Sequence, residues 1–458
     1  MQGKIQYLSA EWHEPLVSDG MYSDGSGKGN FEIAKENHLK VLWICNVPIP
    51  EAKDVMGDEV EVRVSWLVGI SKALRKKVDL YIGYPSFSHK EITVGKGDRV
   101  TFVAIPRKTK DATKFDPSLE EELVKVYRQI NPDVIHVFGT EFPHSLSVIN
   151  ASIEAGRQEH TVVSIQGLVS ICAKHYTGGV PEWVTHFYTI RDILRHTNIR
   201  KAQKDFARRG VFEIEALTKY KHVIGRTDWD KACAKMFNPN IRYHFNNEIL
   251  RTSLYENDWS YENCTPHRIF LSQGGFPYKG FHRMIEALEI IKKKYPDVSL
   301  YITERDYVNP TGIKERLRLN SYQYYIRKLI HEKHLEENIH FLGTLNEEEM
   351  CRQYLMANVF VQPSAIENSP NSLGEAMLLG TPVVIADVGG VKNMIAHGEE
   401  GFVYQHDASY MIAYYVEQYF EMKDQAKTMT DRAKAHAKQI FDIEKNIDDL
   451  VAIYEKIC

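Results

Sequence analysis

Short apolar runs separated by amphipathic stretches dominate the chain from residue 38 onward. The runs at 40–45 (KVLWIC), 78–82, 100–105, 133–138 and 161–165 have the length and continuous hydrophobicity of buried parallel strands. Helical patterns lie between them. The first spans 60–74 and is followed by Arg75, Lys76 and Lys77, which suit the negative end of a helix. Such alternation predicts a doubly wound α/β sheet. A second series of runs follows at 268–272, 298–303, 338–342, 358–362 and 383–386. Between the two series, residues 246–266 are polar, acidic and aromatic without a period, which marks a domain boundary. The chain therefore divides into a first domain over 38–250, a second over 251–440, and a last helical segment over 441–458. The tail from 428 to 458 reads as helical, with Ile440, Ile443, Ile447, Leu450, Val451 and Tyr454 as its apolar positions. Residues 1–37 are rich in Gly, Ser and Asp and show neither period, so they are expected to form a flexible extension.

The stretch 364–401 carries the densest signal. Ser369 suits an N-cap and Pro370 the first helical position. Leu373, Ala376 and Met377 fall on one face, Gly380 ends the helix, and Thr381-Pro382 turns the chain into a strand. Glu367 precedes this helix and Glu375 lies inside it. A helix N-terminus with unpaired amides can hold a phosphate or diphosphate. Glu375 can accept from a vicinal diol such as a ribose, and Glu367 can bind hydroxyls or support a developing cation. Together these describe a nucleotide-sugar site. The plainer alternative is a capping box between Ser372 and Glu375, with Glu367 an ordinary loop acid. Further upstream, Lys279 stands in the Gly-rich loop QGGFPYKG ahead of a helix, where fixed positive charge can stabilise a departing diphosphate.

The run from Glu367 through Glu375, then Ala376-Met377, Gly380-Thr381-Pro382-Val383 and Gly389-Gly390, resembles the signature of family 4 retaining glycosyltransferases. The resemblance implies the GT-B fold: two Rossmann-like domains facing a central cleft, the last helix crossing back to the first domain. It places Glu367 at the donor sugar, Glu375 on the nucleotide ribose, the amides near Asn371, Ser372 and Leu373 at the diphosphate, and Gly343 at the base. Gly274 and Gly275 belong to the diphosphate loop. This chain departs from the family pattern at four points. The first loop has only Met56-Gly57 where family members often carry a glycine pair beside the donor phosphates. Pro370 stands where glycine is common, no arginine precedes Lys279, and Gln166 replaces the usual histidine before Gly167. Arg226, at the end of a strand of the facing domain, is the candidate replacement cation. Gln166 cannot take a proton near neutral pH, so Gln166 and Gly167 are expected to meet the acceptor side by hydrogen bonding. Asn46 and Gly139-Thr140-Glu141 also stand at strand ends, where such sheets bind ligands. His136, inside a strand, reads as a core residue.

Composition narrows the class. The chain has 458 residues and a formal net charge of −4, which argues against a dedicated nucleic-acid partner. Its six cysteines are scattered without metal-ligand spacing, so a reducing compartment is expected and no metal or other cofactor is implied. Asp228-Trp-Asp230 matches a metal-nucleotide motif but sits where a helix opens, so it reads as capping. No apolar run is long enough to span a membrane, and a cytoplasmic location is expected. One segment, 190–210, is locally basic, and Arg200, Lys204 and Arg208 share a helical face that can meet anionic lipid at the inner face of the membrane. The expected activity is transfer of a sugar, with retention and without metal, from a nucleotide-sugar donor to a saccharide or lipid-linked saccharide acceptor. The local style of both domains resembles enzymes of bacterial surface polysaccharide (capsule) biosynthesis. The rival readings are a non-catalytic nucleotide-sugar binding protein and a GT-B epimerase or phosphorylase.

Overall fold

The computed structural model describes residues 5–7, 38–58, 65–310 and 312–458. Two α/β units follow one another. The first is built on a sheet of β1 (Ile5–Tyr7), β2 (Lys40–Ile44), β3 (Asp79–Ser86), β4 (Thr93–Lys96), β5 (Val100–Pro106), β6 (Val134–Phe138), β7 (Thr161–Ser164), β8 (His222–Gly225) and β9 (Arg242–Phe245). The strand order is β1-β4-β5-β3-β2-β6-β7-β8-β9. Pairing is parallel except at the β1–β4–β5 edge. The second unit is a wholly parallel sheet of β10 (Arg268–Leu271), β11 (Ser299–Ile302), β12 (Ile339–Phe341), β13 (Val359–Gln362), β14 (Val383–Ala386) and β15 (Phe402–Tyr404). Its order is β12-β11-β10-β13-β14-β15.

The apolar runs become central strands because helices cover both faces of each sheet, so every residue of β6, β7, β10, β13 and β14 is buried. In each sheet the winding direction reverses once, between β2 and β6 and between β10 and β13. Ligands bind at such switch points, beyond the carboxyl ends of the strands. The loops there carry Asn46 and Gly139-Thr140-Glu141 in the first unit, Gln273 to Lys279 and Ser364 to Glu367 in the second.

Three features differ from the sequence expectation. Strand β3 runs on to Ser86, and β4 (TVGK) and β9 (RYHF) escape the pattern because, unlike the equally short central strands, neither is a continuous apolar run. In β4, Gly95 lets the strand lie against Met56, whose Sδ would be 2.3 Å from an added Cβ. Within the expected extension, Ile5–Tyr7 pairs antiparallel with β4; the remainder of that segment lies outside the described residues. The helix expected from residue 60 is described as Ser65–Leu74, its first residues also lying outside.

The last helix, Ile443–Ile457, packs on the first domain. Ile447, Leu450, Ile453, Tyr454 and Ile457 join a core with Trp43, Ile49 and Leu74. Its polar anchor is Tyr454, whose hydroxyl accepts from Trp43 Nε1 at 3.0 Å and lies 2.6 Å from His136 Nδ1. Burial pushes the His136 imidazole down to about 3, so the ring is neutral. It accepts from Tyr454 and donates through Nε2 to Ser164 Oγ at 2.7 Å. His136 is thus the satisfied core residue its place in a strand predicts. Replacing Tyr454→Phe strands Trp43 Nε1 and His136 Nδ1 in an apolar core and should cost about 1–3 kcal/mol. A urea unfolding midpoint unchanged from the parent would contradict this account.

Candidate active site

The loop after β13 and the helix Asn371–Leu379 form one wall of the interdomain cleft. Leu373, Ala376 and Met377 are fully buried, as their spacing predicts. The cap differs from expectation. Pro370, not Ser369, occupies the N-cap position, and no side chain caps the helix. Ser369 instead donates its hydroxyl to Met394 Sδ, and Ser372 donates to Gln362 Oε1 at 3.1 Å, so no Ser372–Glu375 capping box forms. The amides of Leu373 and Gly374 turn back to the Pro370 carbonyl. Leu373 therefore contributes to the core rather than the cleft, and Asn371 and Ser372 stand at the open end. The glycine pair has a packing role: a Cβ on Gly389, at φ +52°, would lie 1.8 Å from the Glu367 carbonyl oxygen.

A cavity of about 310 Å³ fills the cleft, and Gln166, Arg226, Lys279, Glu367, Asn371, Ser372 and Glu375 line it. Seven residues singled out in the sequence thus meet across two domains. Lys279 Nζ donates to Glu367 Oε1 at 2.7 Å. Gly280, after Lys279, has φ +75°, and a Cβ there would lie 1.8 Å from the Pro363 carbonyl oxygen, so only glycine brings the lysine loop this close. Arg226 Nη1 lies 2.9 Å from Asn371 Oδ1 and 3.2 Å from Glu248 Oε2, and Asn371 Nδ2 donates to the same carboxylate at 2.9 Å. Arg226 thereby reaches the helix start from the facing domain. Gly274, Gly275 and Gly343 are not on this cavity wall. The Gly274 amide donates to Glu304 Oε1 at 3.2 Å, the Gly343 amide to the Glu304 carbonyl at 2.9 Å, and a Cβ on Gly275 would crowd the same carboxylate.

Glu375 is buried beneath this wall. Tyr354 donates to its Oε2 at 2.9 Å, and Arg251 Nε lies 3.4 Å from Oε1. Burial raises the Glu375 pKa, against the pull of Arg251 and Tyr354. Arg251, Tyr354 and Glu248 escaped the sequence because their partners lie tens to more than a hundred positions away. Asp228-Trp-Asp230 caps a helix: Thr227 and Asp230 form a reciprocal capping box, and Tyr243 donates to Asp230 Oδ1 at 2.5 Å. Among the described residues no group of His, Cys, Asp or Glu could hold a metal ion.

A second cavity of about 450 Å³ adjoins on the first-domain side, walled by Glu141, Gln166, Gly167, Arg209 and Tyr278 and reaching Lys279 and Glu367. Glu141 is desolvated between Gly139 and Gly167, and burial pushes its carboxyl up to about 7. Glu213 lies deeper, fixed by Thr140 Oγ1 at 2.7 Å and by the Val169 and Ser170 amides. The basic helical face stands apart on the helix Ile199–Lys219. Arg208 pairs with Asp205 there, Lys204 is exposed, and the neighbouring helix Ile190–Leu194 exposes Ile190, Ile193 and Leu194 by 54%, 59% and 76%. Among the described residues no helix is long and apolar enough to cross a membrane.

Residues 260–436 match the family described as "Glycosyl transferases group 1", so the second unit carries a domain of that type. The described residues have the GT-B fold. Sucrose-phosphate synthase from Thermosynechococcus elongatus superposes with a TM-score of 0.64 at 15% identity, covering 91% of this chain and 99% of that one. HepE from Anabaena, solved in complex with UDP-glucose, gives 0.63 at 17% identity, covering 92% and 100%. A D-inositol 3-phosphate glycosyltransferase of Corynebacterium urealyticum is 26% identical over 179 residues, which are 39% of this chain and 40% of that protein. The chain thus spans about two fifths of that relative's length. The Bacillus subtilis protein YtcC is 25% identical over 430 residues, 92% of each chain.

The raised Glu141 pKa gives a signed expectation. A carboxyl whose pKa is higher folded than unfolded contributes stability that is complete below the ordinary carboxylate range and lost as pH rises through about 7. Glu141→Gln removes that loss. The melting temperature of the variant minus that of the parent should therefore climb between about pH 5 and pH 8. A flat difference would show that Glu141 ionises normally.

Proposed function

We propose that the protein is a retaining glycosyltransferase that moves a sugar from a nucleoside diphosphate to an acceptor hydroxyl. The observation that carries this is the Lys279–Glu367 contact at the mouth of a helix with no side-chain cap, with Glu375 and Arg251 behind it. In this account the diphosphate lies against Asn371 and Ser372, with Lys279 on one side and Arg226 on the other, replacing the arginine absent from the loop. The 3.4 Å Arg251–Glu375 contact is loose enough to be exchanged, so a ribose diol takes the carboxylate and Arg251 turns to the phosphates.

The anomeric carbon–oxygen bond breaks with its electron pair going to the diphosphate. The acceptor oxygen forms the new bond on the same face, and its proton passes to the departing phosphate oxygen. Lys279 stabilises the charge growing on that phosphate. Glu367, held by the same lysine, supports the oxocarbenium-like sugar, and Gln166 and Gly167 face the acceptor. Neutralisation by Lys279, Arg226 and the helix end supports a metal-independent reaction, so turnover should persist in excess EDTA. The acceptor is a saccharide or lipid-linked saccharide of a surface polysaccharide, met at the inner face of the cell membrane. There Arg200, Lys204 and Arg208, beside the exposed Ile193 and Leu194, contact anionic lipid. Co-sedimentation with anionic but not neutral vesicles, lost when the three cations become Gln, tests that contact.

Thermal shift with a panel of nucleoside diphosphates and nucleotide sugars tests the donor site. UDP goes first, because HepE binds it. Ligand at about a hundredfold its dissociation constant should stabilise the protein by about 2.7 kcal/mol, and Lys279→Ala and Glu375→Ala should each reduce the shift. If no nucleotide shifts the parent, the donor site is misassigned.

A further inference from the structure

The proposed reaction leaves one cavity of the first domain unused. It measures about 150 Å³ and opens at the carboxyl ends of β2, β3 and β5, with Asn46 and Phe142 as walls shared with the larger cavity beside Glu141. Its floor is the first turn of the helix His144–Glu154, whose N-cap is Pro143 and which no side chain caps. The positive end of that helix therefore faces the cavity, with no carboxylate capping it directly.

Buried polar atoms on this lining lack partners. His144 is 5% exposed and neither of its ring nitrogens makes a hydrogen bond of normal geometry; Ser147 is 1% exposed and its Oγ has none. Burial and the neighbouring Arg107 push the His144 ring down to about 4, against a weaker opposite pull from the Phe138 carbonyl, so it is neutral, with one N–H that faces that carbonyl in a poor geometry and that a better acceptor would draw away. Arg107 lies 4.0 Å over the Phe87 ring, with its Nε buried and unpartnered. Burial works against its charge and Asp116 offsets that only in part. Lys110 and Lys114 stand at the rim. The two nearby acids are already engaged: Asp116 accepts from the amides of Lys108, Thr109 and Ser118, and Asp111 from Thr113. Buried polar groups without partners destabilise a fold, so such a cluster is a poor core and a good receptor.

From this geometry we infer that the cavity binds a phosphate group carried by the acceptor, with Arg107, His144 and Ser147 donating to its oxygens. The donors converge from a strand end and a helix first turn, which suits a tetrahedral oxyanion better than a planar carboxylate. Lys110 and Lys114 add charge at the entrance. The assignment to the acceptor rests on the glycosyl-transfer reading, because the wall shared at Asn46 and Phe142 adjoins the cavity that reaches Lys279.

The test is titration of the full chain with inorganic phosphate at constant ionic strength, followed by calorimetry, with UDP saturating so that the donor site is filled. The parent should bind phosphate above a chloride control, and Arg107→Gln should weaken binding at least about tenfold. The UDP-induced thermal shift should stay intact. The double variant Lys110→Gln/Lys114→Gln, at exposed positions that leave the core alone, should weaken it less. Phosphate heat equal to the chloride control would overturn the site. So would unchanged affinity in a folded Arg107→Gln protein or, should that variant not fold, in the lysine double variant. Absence of any UDP shift in the parent would instead count against the donor site alone. Displacement of phosphate by a soluble sugar phosphate, or by a prenyl phosphate in detergent, identifies which carrier supplies the group. Displacement by neither overturns the acceptor assignment.

Discussion

Three carboxylates are buried or nearly so around the start of one helix, and each has a cation brought from a different part of the chain. Lys279 meets Glu367 from the loop after β10, Arg251 meets Glu375 from the interdomain linker, and Arg226 meets Glu248 at the end of β8. Charges taken out of water must be paired or they shift their ionisation and weaken the fold. Pairing therefore fixes the loops relative to one another before any ligand arrives. It also sets what can enter: an incoming dianion is accepted only if these cations turn from their carboxylates toward it, while the carboxylates find hydroxyls in exchange.

The contacts across the cleft show how closely the two domains are matched in this state. Thr227 Oγ1 donates to Asn368 Oδ1 at 2.9 Å, and Asp228 and Asn393 exchange hydrogen bonds at 3.2 and 3.1 Å. Individually these polar bonds are worth little in net terms, and none of them buries apolar surface between the domains at the mouth. The hinge side is different, since there the last helix and its core are shared. Apolar packing also crosses between the units away from the mouth, where Tyr176, Val180, Val184 and Ile199 join the core of Phe281, Met284 and Tyr322.

The sequence carried the order of elements and much of the cleft, for a physical reason. Parallel strands buried on both faces are continuous apolar runs, and a carboxylate or lysine beside a helix start keeps its meaning in any context. The meeting of Lys279, Glu367 and Glu375 at one cavity was legible for that reason, their chemical roles being part of the proposal, as was the capping by Asp230. Strands β4 (TVGK) and β9 (RYHF) were not, because polar residues interrupt them and they form no apolar run. The cap was misplaced by one residue because Pro370 suits either position, and local patterns do not separate the two. Arg251, Tyr354 and Glu248 had no local signal at all: each acquires its role only when distant segments come together. The same holds for the His144 cavity, whose polar atoms are conspicuous only once their lack of partners can be seen.

The last helix has a consequence for how the fold is completed. Ile453, Tyr454 and Ile457 share one core with Trp43, Ile49 and Leu74. Trp43 and the tyrosine hydroxyl it meets stand 411 positions apart. Finishing that core is therefore a non-local step, of the kind whose loop-closure cost slows folding.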